Sequence, residues 1–86
     1  MKLWDAALYY EERAVGLGQE FFEEVERALA FAVQNPELGT RSTASTRRVL
    51  INRFPYSVIY RALENEFLVV AIAHQRRRPG YWRTRT

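Results

Sequence analysis

The sequence predicts an α+β domain, a helical hairpin packed on one face of a small antiparallel sheet in the order α-α-β-β-β. Through residue 34 apolar residues recur at three-to-four spacing, interrupted only at Gly16-Leu17-Gly18. Beyond residue 46 the pattern becomes short runs rich in Val, Ile, Tyr and Phe, punctuated by Pro55 and Glu64-Asn65. Helices first and hairpin-linked strands afterwards form separate layers around one core. With 86 residues the chain is read as one domain spanning 1–86. A domain of this size buries only about 60–65% of its unfolded surface, so its stability is modest.

The first helix is predicted over residues 3–14, where Leu3, Trp4, Ala7 and Leu8 share a stripe and Asp5, Glu11 and Glu12 fall elsewhere. The Gly16-Leu17-Gly18 break permits a turn into a second helix over residues 19–34. Phe21, Phe22, Val25, Ala28, Leu29, Ala32 and Val33 give that helix a wide core-facing stripe. Glu20, Glu23 and Glu24 crowd its first turns, where the helix dipole favours negative charge. Asn35-Pro36 ends it, because proline pushes the preceding residue out of helical geometry. Residues 37–46 show no periodicity and read as a long polar loop, a length that favours a binding role.

Strands are predicted at 47–53, 56–63 and 67–74. Pro55 cannot donate to a ladder and belongs between the first two. Glu64-Asn65 forms a two-residue hairpin turn that pairs Leu63 with Glu66. Strand alternation from that turn sets Ser57, Ile59, Arg61, Leu68, Val70, Ile72 and His74 on one face. Tyr56, Val58, Tyr60, Val69, Ala71 and Ala73 fall on the other. A three-residue turn would exchange the two sets. Neither face is polar throughout, so a partner is expected over the face the helices leave open.

Charge is divided along the chain. Residues 1–40 hold three basic side chains (Lys2, Arg13, Arg27) and eight acidic ones. Residues 41–86 hold ten Arg against Glu64 and Glu66 alone. The pattern describes an acidic helical layer and a basic working face. Function, thermophily or GC-rich coding each produce such an arginine bias. The absence of cysteine excludes disulfides and thiolate metal sites, and fits a reducing cytoplasm. One histidine, His74, cannot hold a metal alone, so no metal or other cofactor is expected. No apolar run approaches the ~18 residues of a membrane span and nothing resembles a signal peptide, so a cytoplasmic protein without a membrane partner is expected.

The densest chemistry lies in the last third. Arg53-Phe54-Pro55-Tyr56 opens the second strand, and Ala73-His74-Gln75-Arg76-Arg77-Arg78-Pro79-Gly80-Tyr81-Trp82 closes the chain's third. Arg supplies planar, always-charged donors for phosphate or carboxylate, and aromatics supply stacking faces. Nucleic acid and an acidic protein segment both suit that combination. Each of these residues also has a plainer reading. A lone strand-end histidine ordinarily bonds a neighbour, an arginine run is ordinarily solvated, and Tyr81 and Trp82 suit docking of the tail on the core as well as stacking on a base. Trp4, Tyr9 and Tyr10 read as hairpin packing. Glu11 and Glu12 point in different directions from a helix and carry no acid–base role.

The order and spacing of several short pieces resemble the ParE/RelE toxins of bacterial type II toxin–antitoxin systems. They are Tyr9-Tyr10-Glu11-Glu12, Gly16-Leu17-Gly18, Glu24-Val25-Glu26-Arg27-Ala28-Leu29, Asn35-Pro36, Arg53-Phe54-Pro55-Tyr56, Val58-Ile59-Tyr60 and the run from Ala73 to Trp82. The resemblance implies a growth-inhibiting, plasmid-stabilising toxin wrapped by a cognate antitoxin through an extended, often helical acidic segment. It also implies a cellular target. RelE-like members bind the ribosomal A site and cleave messenger RNA; ParE-like members inhibit DNA gyrase by binding.

Two departures from the family pattern bear on function. Members typically begin with a short strand before the first helix, which this sequence lacks. Its loss would expose a sheet edge to an antitoxin strand or a second copy, giving a homodimer or a heterotetramer with antitoxin, or would leave a degenerate antitoxin-binding module. The second departure concerns cleavage. RelE-type chemistry uses the neighbouring 2′-hydroxyl as nucleophile and needs proton transfer and phosphate stabilisation, without a metal. The resemblance assigns Arg53 and Arg61 to phosphate, and His74 or Tyr81 to the proton. Ser57 stands where nucleases of the family often place Arg, and no Arg/Lys-then-Tyr pair ends the third strand. The ending resembles non-nuclease relatives, so the ParE-like reading is favoured over the RelE-like one. Target or antitoxin contacts then fall to Arg47, Arg48, Arg76, Arg77, Arg78, Tyr81 and Trp82.

Overall fold

A computed structural model describes residues 3–75. Helix α1 runs Leu3–Arg13 and α2 runs Leu17–Gln34; a 3-10 turn, Pro36–Leu38, follows. Four strands complete the chain: β1 (Thr40–Thr43), β2 (Thr46–Leu50), β3 (Tyr56–Ala62) and β4 (Phe67–His74). They form one antiparallel sheet in the order β1-β2-β3-β4. The α+β class and the helical hairpin hold. The loop expected at 37–46 is instead a 3-10 turn and an added strand, β1, paired to β2 through Thr40↔Arg48 and Arg41↔Arg47. Three threonines supply its β-branched character, but four residues are too few to show alternation.

The hairpin turn is fixed by Glu11. Its carboxylate accepts the backbone N–H of Gly16 and of Gly18, each at 3.0 Å. Those two bonds hold its pKa below the ordinary 4.5. Gly16 takes φ 89°, a left-handed conformation that glycine adopts at no steric cost. A Cβ on Gly18 would sit 2.8 Å from the Ala7 carbonyl oxygen, so glycine is what lets the helices meet here.

The buried stripe of α1 is Leu3, Ala6, Ala7 and Tyr10, rotated from the one expected. Trp4 remains exposed at 68%, its ring edge-on to Phe22 at 5.5 Å. On α2 the stripe buries Phe21, Val25, Ala28 and Ala32 as expected. Both helices lie on the sheet face that carries Val49, Tyr56, Val58 and Ile72. Aromatic rings dominate that interface: Phe21 lies 5.2 Å from Phe54 and 5.5 Å from Tyr56, and Tyr10 lies 4.8 Å from Phe54. Burial raises the Tyr10 pKa, with neighbouring Tyr9 adding to the effect. Burying a side chain such as Phe21 completely contributes about 1.5–3 kcal/mol.

The strand expected to continue to residue 53 stops at Leu50. Residues 51–55 form a tight loop in which the Phe54 N–H bonds the Ile51 carbonyl at 3.4 Å and the Ile51 N–H bonds the Tyr56 carbonyl at 2.9 Å. Glu64-Asn65 makes the expected two-residue turn, with Leu63 and Glu66 exchanging backbone bonds at 2.8 and 3.4 Å.

The register expected from that turn holds only for its first residues. Arg61 pairs with Leu68 and Tyr60 with Val69, but Ile59 pairs with Ala71, leaving Val70 as a bulge. One extra residue exchanges faces for everything beyond it. Ile72 and His74 therefore lie with Val58 and Tyr56 on the helix side, and Ala71 and Ala73 with Ile59 and Ser57 on the far side.

Candidate functional site

The far face of the sheet, turned away from the helices, is a small grid. Across β2, β3 and β4 its rows read Thr46–Arg61–Leu68, Arg48–Ile59–Ala71 and Leu50–Ser57–Ala73. Arg48 and Arg61 are exposed and diagonal to each other across the β2–β3 ladder. Ser57, Ile59 and Ala73 are buried between the rows, while Leu50 and Leu68 remain exposed at 59% and 41%. Thr46 Oγ1 lies 2.7 Å from Thr43 Oγ1, tying the grid to β1. A carboxylate or phosphate finds two planar guanidinium groups here, beside apolar ground for an aliphatic or aromatic neighbour.

The remaining cationic candidates are elsewhere. Arg47 is one residue from Arg48 and so faces the helix side, where its Nη1 donates to the Gly39 carbonyl at 2.8 Å. Arg53 sits in the 51–55 loop with φ 72°, a conformation uncommon outside glycine. Its Nη2 donates to Glu20 Oε1 at 2.8 Å, and its guanidinium lies 5.8 Å from the Phe54 ring centre. The pair ties the start of α2 to the β2–β3 loop. His74 stands opposite Tyr56 on the helix side, the two rings 5.0 Å apart and edge to face. The structure brings Arg48 and Arg61 onto one face, and separates Arg53, Arg61 and His74 onto a loop, the far face and the helix face. Arg76, Arg77, Arg78, Tyr81 and Trp82 lie outside the described residues.

One site was not foreseen. Between α2 and β2 lies a groove of ≈ 250 Å³ lined by Glu24, Arg27, Ala28, Phe31, Val49, Leu50 and Asn52. Glu24 is only 8% exposed and holds Arg27 through a 2.5 Å ion pair. The sequence signal was the position of Glu24 within the apolar stripe, between Phe21 and Ala28, which a dipole role alone does not require. Among the described residues no group of three or more His, Asp or Glu is placed to hold a metal.

A hairpin of helices on a four-stranded antiparallel sheet, with an arginine-bearing far face, is the arrangement the resemblance implied. The family model described as the ParE toxin of the type II toxin–antitoxin system, parDE, matches residues 2–79. The chain belongs to the ParE toxin family. Membership makes it the toxin component of such a system and implies a cognate antitoxin as its partner. No curated protein and no solved structure matches significantly. Among the described residues of this ParE-family chain, no helix is long and apolar enough to cross a membrane.

Proposed function

We propose that the chain arrests bacterial growth in the cytoplasm by binding DNA gyrase, without catalysis, and that an acidic antitoxin neutralises it by covering the far face of the sheet. The observation that supports this reading is the separation of Arg53, Arg61 and His74 onto three surfaces. Cleavage through a neighbouring 2′-hydroxyl needs a proton acceptor and a cation at one phosphate. Side chains on opposite faces of a sheet do not converge on one phosphate. Inhibition by binding needs only a shaped, charged surface, and the Arg48–Arg61 diagonal around buried Ile59 supplies one. The same guanidinium groups suit antitoxin carboxylates, so one partner excludes the other.

The test is induction of the chain alone in a bacterial host, with RNA 5′ ends mapped transcriptome-wide and plasmid supercoiling followed in parallel. Arrest with intact messages and loss of negative supercoiling is the expected result. New 5′ ends in phase with codons would replace this reading with the RelE-like endoribonuclease, and Arg61→Ala or His74→Ala would then abolish toxicity. Absence of arrest would leave an inactive antitoxin-binding module.

A further inference from the structure

The two outer strands of the sheet are treated very differently. β1 is a four-residue strand, Thr40–Thr43, irregular in its pairing and carrying Arg41. Those are the devices by which natural sheets blunt an edge. At the other margin β4 runs for eight residues, Phe-Leu-Val-Val-Ala-Ile-Ala-His, with no proline, lysine, arginine or carboxylate in it. Leu68, Val69 and Val70 are exposed at 41%, 49% and 38%. Among the described residues no strand pairs with its outer edge.

Ladder alternation identifies the groups that point outward. Leu63 and Glu66 exchange both backbone bonds, so Leu68 bonds β3 next and Phe67 and Val69 turn their N–H and C=O away from it. From the other end, the Gln75 N–H bonds the Pro55 carbonyl, so Ala73 and Ala71 bond β3 and Ile72 turns outward. The bulge at Val70 shifts the phase between the two halves. Consequently the outward backbone groups of Val69 and Ile72 belong to residues whose side chains share the helix side of the sheet.

We propose that β4 is a self-association edge, pairing antiparallel with β4 of a second copy about a two-fold axis between Val70 and Ala71. That register sets Val69 opposite Ile72 of the second copy, twice by symmetry, and matches outward groups with outward groups. Charge selects this occupant. A chain with twelve Arg would repel its own copy through a basic edge, but this edge is neutral. Glu64 and Glu66 lie at the start of β4, and the sequence leaves its end at Gln75 into Arg76-Arg77-Arg78. Antiparallel pairing brings the acidic end of one strand beside the strand exit of the other; a parallel arrangement would set like ends together. Each copy presents the same patch, as a two-fold interface requires. The dimer carries an eight-stranded sheet with both helical layers on one side, and doubles the Arg48–Arg61 surface on the other. The proposal is independent of the cellular target.

Sedimentation of the purified full-length chain at micromolar concentration tests it. The expected mass is twice the 10.2 kDa of one chain. Val69→Lys, which places a charge on the edge, is expected to weaken association by at least about tenfold with an unchanged far-ultraviolet spectrum. Because the chain has no cysteine, Val70→Cys gives a second readout that does not depend on that variant folding. Mild oxidation should link two Val70→Cys chains, and should not link chains carrying Val33→Cys, an exposed position on α2. A monomeric wild-type chain, an unaltered dimer in Val69→Lys, or equal linking at the two cysteine positions would overturn the proposal. Protection of the Val69 and Ile72 amides only after antitoxin is added would assign the edge to the antitoxin and overturn it equally.

Discussion

The two faces of one sheet divide the labour of this molecule. The helix face is packed with rings: Tyr10, Phe21, Phe54 and Tyr56 meet at centroid separations of 4.8–6.3 Å. Its polar groups are used internally, Arg47 on the Gly39 carbonyl and Tyr60 Oη on the Pro36 carbonyl at 2.7 Å. The far face buries only small or single aliphatic side chains and leaves Arg48 and Arg61 exposed. Residue type does not separate the two surfaces; neighbouring arginines on one strand serve opposite purposes because alternation points them apart. A toxin that binds a gyrase or an antitoxin needs such a division, since a partner can displace water from the far face without disturbing what holds the chain folded.

The contrast predicts that helix-side substitutions act on stability. The largest effect belongs to Phe21→Ala, at the centre of the ring cluster and fully buried. Loss of about 3–5 kcal/mol is expected, a large share of the ~5–15 kcal/mol that holds a domain together. Chemical denaturation measures it. A second variant, Gly39→Ala, attacks the same layer by excess. Its Cβ would overlap the Tyr60 phenol, and Tyr60 is fully buried and cannot swing aside. An expected cost of about 1–3 kcal/mol follows from overpacking. Tyr60→Phe removes the hydroxyl donor to the Pro36 carbonyl and is smaller, near 1 kcal/mol by the same measurement. Were Phe21→Ala or Gly39→Ala to abolish antitoxin binding while leaving the melting temperature intact, the division between faces would fail.

Glu11 sharpens the comparison at the edge of the helical layer. Its lowered pKa means that the folded state binds this proton less readily than the unfolded chain. The stabilisation is therefore complete above about pH 4.5 and is lost as pH falls through the lower folded value. Thermal melts of the wild type and Glu11→Gln from pH 7 downward should show a gap that closes in that acidic window. A gap unchanged at low pH would remove the carboxylate from the turn.

Legibility in the sequence followed the physics of each element. Helix α2 was readable because five turns repeat one apolar stripe and Asn35-Pro36 stops it. Turn chemistry at Gly16-Leu17-Gly18 and Glu64-Asn65 was readable for the same local reason. Strand β1 was not, because Thr40–Thr43 has no apolar alternation and exists through pairing with β2. The Val70 bulge left no mark in composition, yet it moved Ile72 and His74 to the helix side. The Arg53–Glu20 pair spans 33 residues and depends on the fold alone. For the site, Arg48 and Arg61 were each named from the sequence as contacts, but only the β2–β3 register makes them neighbours.

The central claim is that the far face binds partners and contributes little to stability. Its most direct test is the double variant Arg48→Glu/Arg61→Glu, scored for growth arrest, antitoxin affinity and melting temperature in the same preparation. Exposed substitutions of this kind shift stability by only about 0.5 kcal/mol, so the chain is expected to melt as the wild type does. Antitoxin affinity should fall by at least about a hundredfold, and growth arrest should disappear with it. A folded double variant that still arrests growth and still binds antitoxin at wild-type affinity would contradict the assignment of the far face.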